Sequence, residues 1–313
     1  MIFINFFQQL PKGRLRILKK KGIITLFLIV IEFFCIEPII PGIDDSKDFK
    51  DKTILFCVKT YKNNDILIDP ILFLDDGKIV NLPDDLWSID EKKYYLTENF
   101  NSFFYSKKKG YYFFWGGSFK GSISVRFPKQ DISCASLTAS VDLVSNIKIS
   151  GDSMALASNK KNFKDLGYRR RIPTIEEKNT ASKYLDLICL RNNISMSNMK
   201  KIEESIVTVY EQKSGKMLLI SSFKAIDSKD YLHSIFFIAE KRLNRFDVTF
   251  DWYHSGYEAG VESQCLVDIM DLDNDCIVEV ITRFSYYESW DYHIYKRIDN
   301  KWKEIFVGGG GGC

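Results

Sequence analysis

Residues 265–284 read CLVDIMDLDNDCIVEVITRF, and this stretch indicates how the second half of the chain is built. Two runs rich in apolar and β-branched residues, CLVDIM and IVEVITRF, flank a short segment of Asp and Asn. Runs of this length bounded by turn-forming residues are typical of β-strands. The stretch therefore predicts two antiparallel strands joined by an acidic loop.

Runs of the same kind recur on both sides of this stretch. The first part of the chain contains TILFCVKT, ILIDPILFL, YYFFW and SISVRF, and the second part contains ESIVTVYEQ, MLLISSF, LHSIFFIAE, FDVTFDWY, YHIYKRI and KWKEIF. In the second part, about eight such runs joined by short turns fit an antiparallel meander folded as a sheet, a sandwich or a partial barrel. The sequence shows no fixed repeat period of a propeller. We therefore expect a mainly β fold.

One segment near the middle of the chain has the pattern of an α-helix. Thr174 is followed three residues later by Glu177, which is the spacing of a capping box at a helix N-terminus. Apolar residues then recur on one helical face, at Ala181, Tyr184, Leu185 and Ile188. The fold class is thus mainly β with one or two helices in the middle. The basic run 169–171 precedes this helix, and we expect it to be a solvated loop.

The N-terminus has the order of an export segment. Residues 1–22 carry six basic residues and no acidic ones, and residues 23–36, IITLFLIVIEFFCI, are apolar except for Thr25 and Glu32. A basic region followed by an apolar one is typical of a signal or anchor. We expect a body exported to the periplasm or cell surface, or anchored in the membrane through this segment. A cleaved signal, an uncleaved anchor and a buried helix of a cytosolic protein remain alternatives.

The charge balance argues against one class of partner. The formal net charge is +3, and removing the six positive charges of residues 1–22 leaves −3 for residues 23–313. Such a body has no broad basic surface for nucleic acid. The sequence also lacks G-x-G-x-x-G and G-x-x-x-x-G-K-[ST], the motifs of nucleotide sites.

Four segments follow from these patterns. We expect an N-terminal signal or anchor with its linker at 1–42, a β-rich region at 43–170, a helix followed by an antiparallel meander at 171–307, and a flexible glycine tail at 308–313. Whether the two central segments are separate domains is left open by the sequence. The chain has seven cysteines and no C-x-x-C pair, which permits disulfides but predicts no framework, so we expect mostly buried thiols.

The acidic loop has the spacing of a calcium site. Asp271, Asp273, Asp275 and Glu279 occupy its first, third, fifth and ninth positions. In a tightly wound loop this alternation turns the carboxylates inward, and Ca²⁺ prefers six to eight oxygen ligands, including a backbone carbonyl such as that of Ile277. An acidic hairpin turn that holds no metal is the alternative, since Asp and Asn form turns readily.

This loop resembles the D-x-D-x-D-G-x-x-E calcium loop of FG-GAP and VCBS-type repeats, over about 20 residues and in a single copy. The resemblance implies that Asp271, Asp273, Asp275 and Glu279 are Ca²⁺ ligands, with Ile277 binding through its carbonyl. The loop departs from the pattern at its sixth position, where Cys276 stands in place of glycine. Glycine is favoured there because the backbone turns with positive φ. An EF-hand is excluded because Thr282 occupies the position of the bidentate glutamate.

The final strands also resemble a known class of sequences. YYESWDYHIYKRIDNKWKEIF followed by glycines is similar to the closing segment of exported bacterial proteins that place a D-x-D-G-D loop just before it. This resemblance brings no assigned activity. It implies an exported, non-catalytic surface binding or structural module whose partner is a surface protein or a glycan.

A hydrolase is the alternative function. The stretch ISGDSMALAS, residues 149–158, resembles the nucleophile motif of self-cleaving repressors and signal peptidases, with Ser153 as the nucleophile. Such a serine needs a lysine on a later strand, and the lysines at 160, 161 and 164 lie in a polar loop. The three histidines, at 233, 254 and 293, have no metal-ligand spacing, and we expect His233 and His293 to be structural.

Overall fold

A computed structural model describes residues 49, 51–61, 64–87, 94–131, 135–194, 199–257 and 262–312. The predicted export segment lies outside these residues. Residues 46–313 belong to one compact unit. Among the described helices, none combines the length and the apolar character needed to cross a membrane.

The described residues form sixteen β-strands and two α-helices, which confirms the mainly β fold class. The helices are α1 (Tyr94–Phe104) and α2 (Ile175–Arg191). The strands of the first part are β1 (Thr53–Thr60), β2 (Ile66–Asp75), β3 (Lys78–Val80), β4 (Gly110–Trp115), β5 (Ser118–Asp131), β6 (Ala135–Ser145), β7 (Met154–Ser158) and β8 (Tyr168–Arg171). Those of the second part are β9 (Lys200–Glu211), β10 (Met217–Ile226), β11 (Leu232–Arg242), β12 (Arg245–Gly256), β13 (Ser263–Met270), β14 (Glu279–Ser285), β15 (Ser289–Ile298) and β16 (Lys301–Gly312).

Six strands close into an antiparallel barrel. The order β6-β5-β4-β7-β1-β2 returns to β6, because β2 also pairs with β6 at Ile68↔Ala139. Side chains fill the barrel with a core that includes Phe56, Phe73 and Phe113. Helix α1 adds Phe100 and Phe104 to this core. The barrel is therefore a packed core, as expected for a barrel of so few strands.

Strands β13, β14, β15 and β16 continue the barrel's sheet through the pairing of β16 with β6 and form a four-stranded antiparallel layer, here called the central sheet, on the outside of the barrel. Apolar side chains from one face of this sheet, such as Ile281 and Ile294, share a core with Leu55 and Leu156 of the barrel. Its opposite face packs against a second, five-stranded sheet of order β12-β11-β10-β9-β8. Both faces of the central sheet are covered most completely at β13 and β14, most of whose residues are buried.

Helix α2 covers the outer face of the five-stranded sheet, where Ala181, Leu185 and Ile188 pack on strand residues such as Phe237. Its capping box is present: the Glu177 N–H donates to Thr174 Oγ1 and the Thr174 N–H donates to Glu177 Oε2. The helix predicted from this spacing is thereby confirmed.

The glycine run at the C-terminus is a strand and not the flexible tail expected from the sequence. Residues 308–312 belong to β16, and Gly311 and Gly312 pair with both β15 and β6. A Cβ on Gly310 would lie 1.9 Å from Trp290 O, and a Cβ on Gly309 would lie 2.6 Å from Ile71 O. The run lacks side chains because neighbouring backbones occupy the space where side chains would be.

The basic run 169–171 is also ordered, contrary to the expected solvated loop. It belongs to β8, and the side chain of Arg170 is only 5% exposed. Arg170 lies 3.4 Å from the fully buried Asp268 and donates to Met154 O and Val267 O, both at 2.8 Å. A buried carboxylate supplies the charge partner that the sequence pattern did not reveal.

Candidate functional site

The acidic loop connects β13 to β14 at one end of the central sheet. Asp271, Asp273 and Asp275 each bring one carboxylate oxygen within 4.8 Å of the others, so the three residues can hold a metal ion. Asp271 is buried, whereas Asp273 and Asp275 are exposed. Three of the predicted ligands therefore converge as the D-x-D-x-D spacing predicts.

The backbone of the loop winds around Asp271. The Cys276 N–H donates to Asp271 Oδ2 at 3.1 Å, and the Ile277 N–H donates to Asp275 Oδ1 at 2.9 Å. Cys276 has φ +73°, the left-handed conformation for which glycine is favoured. Cys276 thus occupies a backbone conformation that is strained for a residue with a Cβ.

Glu279 stands apart from the three aspartates. It is fully buried at the start of β14, and its Oε2 accepts a hydrogen bond from the Leu272 N–H at 2.8 Å. Ile277, whose carbonyl was the other predicted ligand, lies in the exposed part of the loop. The group of converging carboxylates consists of the three aspartates.

A lysine that the sequence analysis missed stands among these carboxylates. Lys296 Nζ lies 2.5 Å from Asp273 Oδ2, 2.8 Å from Asp275 Oδ2 and 3.0 Å from Glu279 Oε1. The antiparallel register that pairs Val280 with Tyr295 places Lys296 beside Glu279. The signal in the sequence is a lysine that directly follows the buried Ile294 and Tyr295 in the run YHIYKRI.

The electrostatics of the loop follow from burial and from this ammonium group. Burial raises the pKa of Glu279 to about 7 and also raises the pKa of Asp271. Burial raises the pKa of Asp275 too, but hydrogen bonds from Lys296 and the Ile277 N–H prevail and hold it below its usual value. The carboxylates in turn raise the pKa of Lys296, against the effect of its burial. Lys296 is therefore a permanent cation at neutral pH.

The donor set fits a hard cation in part. One oxygen of Asp271, Oδ1, is buried and has no hydrogen-bond partner among the described residues. A buried, unpaired carboxylate oxygen is costly, and a cation would satisfy it. Asp273 and Asp275 are exposed enough to turn toward an ion or toward Lys296.

Ser153, the predicted nucleophile of the alternative function, lies just before β7. It lines a cavity of about 680 Å³ together with Arg170 and Lys178. The described residues around this cavity include no histidine, and Lys178 is exposed. A lysine acts as a general base when burial disfavours its charged form, which an exposed side chain does not provide.

The histidines make structural contacts. His233 Nδ1 lies 3.0 Å from Tyr253 Oη, and His254 Nδ1 accepts a hydrogen bond from the Glu262 N–H at 3.2 Å. The ring of His293 stacks on Phe284, with 3.8 Å between ring centroids. The expectation that His233 and His293 are structural agrees with these contacts.

The free thiols of the described part include Cys57, which is buried, Cys265, which is half-buried, and Cys276, which is exposed. Burial raises the pKa of Cys265 to about 11 and that of Cys57 to about 12. Thiols with raised pKa are poor nucleophiles. These two cysteines are therefore packing residues.

No protein-family model matches the chain, and neither a curated protein nor a solved structure is significantly similar to it.

Proposed function

We propose that the protein is a non-catalytic, exported binding module whose acidic loop binds Ca²⁺ in exchange for the ammonium group of Lys296. The convergence of three carboxylate oxygens within 4.8 Å carries this proposal. The unpaired Asp271 Oδ1, the positive φ of Cys276 and the likeness to FG-GAP and VCBS-type loops support it. Asp271, Asp273 and Asp275 would hold the ion, which would fix the β13–β14 connection.

Lys296 makes the loop stable without metal, because its single positive charge faces three carboxylates. Ca²⁺ carries twice that charge and accepts more oxygen ligands than an ammonium group. Its binding requires Asp273 and Asp275 to give up their ion pairs with Lys296. The loop is thus expected to bind Ca²⁺ weakly, in the range of about 10⁻⁴ to 10⁻³ M that is typical of extracellular modules.

The test is thermal unfolding of the full-length chain with millimolar Ca²⁺ and with chelator, for the native protein, Asp273→Asn and Lys296→Met. We expect Ca²⁺ to raise the midpoint of the native protein, because a ligand that binds only the folded state stabilises it. Asp273→Asn should abolish the rise. Lys296→Met should be less stable than the native protein in chelator and should show a larger rise with Ca²⁺.

Lys303→Met is the matched control, since Lys303 forms an exposed ion pair with Asp299 at 3.3 Å in the neighbouring hairpin. It should respond to Ca²⁺ as the native protein does. A native protein and a Lys296→Met variant that both ignore Ca²⁺ would contradict the proposal and leave the loop as an acidic turn neutralised by lysine.

A binding module also needs a partner. The proposal assigns this protein a surface protein or glycan partner and, if the N-terminal segment is retained, a membrane attachment. Fractionation of cells that express the full-length chain would test the location, and recovery in the cytosol alone would contradict export.

A further inference from the structure

A second cavity, of about 290 Å³, lies where the barrel and the two other sheets meet. Its lining includes Lys59 of β1, Glu203 of β9 and Arg283 of β14. Five serine hydroxyl groups surround it, at Ser205, Ser222, Ser234, Ser263 and Ser285. At about 30 Å³ per water molecule in the liquid, the cavity has room for a ligand of about ten non-hydrogen atoms. A lining that comes from the barrel and from both layers outside it is typical of ligand sites at junctions.

The floor of this cavity has more positive than negative charge. Lys59 Nζ lies 4.7 Å from the centroid of the Trp290 ring, and the guanidinium carbon of Arg283 lies 5.3 Å from it. Lys59 donates to Asp69 Oδ2 at 3.0 Å. The same oxygen accepts hydrogen bonds from Trp290 Nε1 at 2.6 Å and Tyr292 Oη at 2.7 Å. Lys59 therefore pairs with a buried carboxylate whose Oδ2 already has three donors, whereas its Oδ1 has no hydrogen-bond partner among the described residues.

Arg283 is left with unused hydrogen-bonding capacity. Its Nη1 donates to Ser285 Oγ at 2.7 Å, whereas its buried Nε has no partner among the described residues. A buried cation without full pairing is costly, and a carboxylate is the group that matches the planar fork of a guanidinium. An anionic group in the cavity would give the guanidinium of Arg283 a charge partner.

The rim of the cavity has the opposite charge. Asp152, Glu203 and Glu204 line it and are exposed, together with the half-buried Lys224. Glu204 is paired with Lys201 at 2.5 Å. Lys224 stands opposite Glu203 in the strand register, so the two carboxylates of Asp152 and Glu203 exceed the positive charge of the rim by one. The charged groups of the whole lining balance one another.

We propose that this cavity binds a small zwitterion of the amino-acid class. Its carboxylate lies on Arg283 and Lys59 at the floor, its ammonium group faces Asp152 and Glu203 at the rim, and the serine hydroxyl groups hydrogen-bond its polar atoms. The cavity is separate from the acidic loop. The proposal for the cavity and the proposal for the loop can therefore be tested independently.

The experiment is isothermal titration of the full-length chain with each of the common L-amino acids, and with butyrate and butylamine as analogues that carry one charge each. We expect at least one amino acid to bind and both analogues to bind at least tenfold more weakly. Arg283→Gln and Glu203→Gln should each weaken binding at least tenfold, because each removes one charge-assisted contact. Arg242→Gln, at an exposed hairpin, is the control and should bind normally.

Three results would overturn the proposal: no amino acid binds at millimolar concentration, butyrate binds as well as the best amino acid, or the best amino acid binds equally well to Glu203→Gln. Glu203 is exposed, so this variant keeps the test valid even if Arg283→Gln does not fold. Binding that disappears in both Glu203→Gln and Asp152→Asn but not in Arg242→Gln would support the proposal without Arg283→Gln.

Discussion

Single side chains determine the electrostatics of the acidic loop and its neighbours. The loop was predicted from the spacing of its aspartates, and Asp271, Asp273 and Asp275 converge as that spacing requires. Lys296 was not predicted, because it reaches the loop from a different strand. Local spacing in the sequence thus predicts ligands that lie in the same loop. It does not predict a charged residue that strand pairing places beside that loop.

The strained position of Cys276 gives a prediction at the same scale. Its φ of +73° costs about 1–2 kcal/mol for a residue with a Cβ. Glycine at this position would avoid that cost, but its greater conformational freedom in the unfolded chain would offset part of the gain in stability. Cys276→Gly should therefore raise the free energy of unfolding by about 0.5–1 kcal/mol, as measured in urea. Cys276→Ala keeps the Cβ and should leave stability nearly unchanged. A stabilising alanine would show that the thiol, and not the backbone, is unfavourable.

The environment of His293 allows a prediction of how the free energy of unfolding depends on pH. Its Nδ1 lies 2.5 Å from Glu304 Oε2, and its Nε2 lies 3.1 Å from Asp291 Oδ1. Burial lowers the pKa of His293, but the two carboxylates outweigh burial and raise it above its usual value. Tyr286 and Tyr295 donate to the same two carboxylates.

Because the pKa of His293 is higher in the folded than in the unfolded protein, its contribution to stability is complete below about pH 6.5 and disappears as the pH rises through the folded value. Urea unfolding from pH 6 upward should show this loss in the native protein. His293→Gln should lack that component of the pH dependence. The same slope in both proteins would contradict the assignment to His293.

At the scale of secondary structure, the strand runs and the capping box were predictable, because both depend on residues close together in the chain. The run TILFCVKT is β1, and the Thr174–Glu177 spacing starts α2. Strand β6 was missed because ASLTASVDLVS mixes small and polar residues, and the glycine run was misread because glycine has low strand propensity. Tertiary packing outweighed propensity in both strands.

The glycine run gives a prediction at this scale. Gly310→Ala should destabilise the protein by more than the cost of its φ of +92° alone, because the new Cβ would meet Trp290 O at 1.9 Å. Gly215→Ala is the control, since Gly215 has φ +72° with open space around its Cβ position. It should cost only about 1–2 kcal/mol. Equal losses in urea unfolding would show that β16 can shift away from β15 at little cost.

At the scale of the whole molecule, the central sheet connects the barrel to the five-stranded sheet. Arg170 and Asp268 are part of this connection. Asp268 lies in the central sheet, accepts hydrogen bonds from the Gly116 N–H at 3.0 and 2.9 Å and pairs with Arg170 of β8. The segments 43–170 and 171–307 predicted from the sequence therefore meet across buried charge.

We expect one cooperative unfolding transition, with far-ultraviolet circular dichroism and tryptophan fluorescence changing together. Asp268→Asn should lower the free energy of unfolding by about 3–5 kcal/mol, since it leaves the buried Arg170 without a counter-charge. Asp299→Asn is the control: its side chain is 85% exposed, and the loss should stay below about 1 kcal/mol. Two separate transitions in the native protein would instead support two domains.

The sequence by itself determined the β class, most strands, the helix that follows Thr174 and the convergence of three aspartates, because each depends on patterns among residues within one turn or one strand. Only the tertiary structure decided that Lys296 neutralises the loop, that Arg170 is buried, that the C-terminal glycines are a strand, and that the barrel and the strands packed outside it enclose a charged cavity. These features depend on residues far apart in the chain, such as Asp69 and Tyr292, and their contacts exist only once the barrel and sheets have packed.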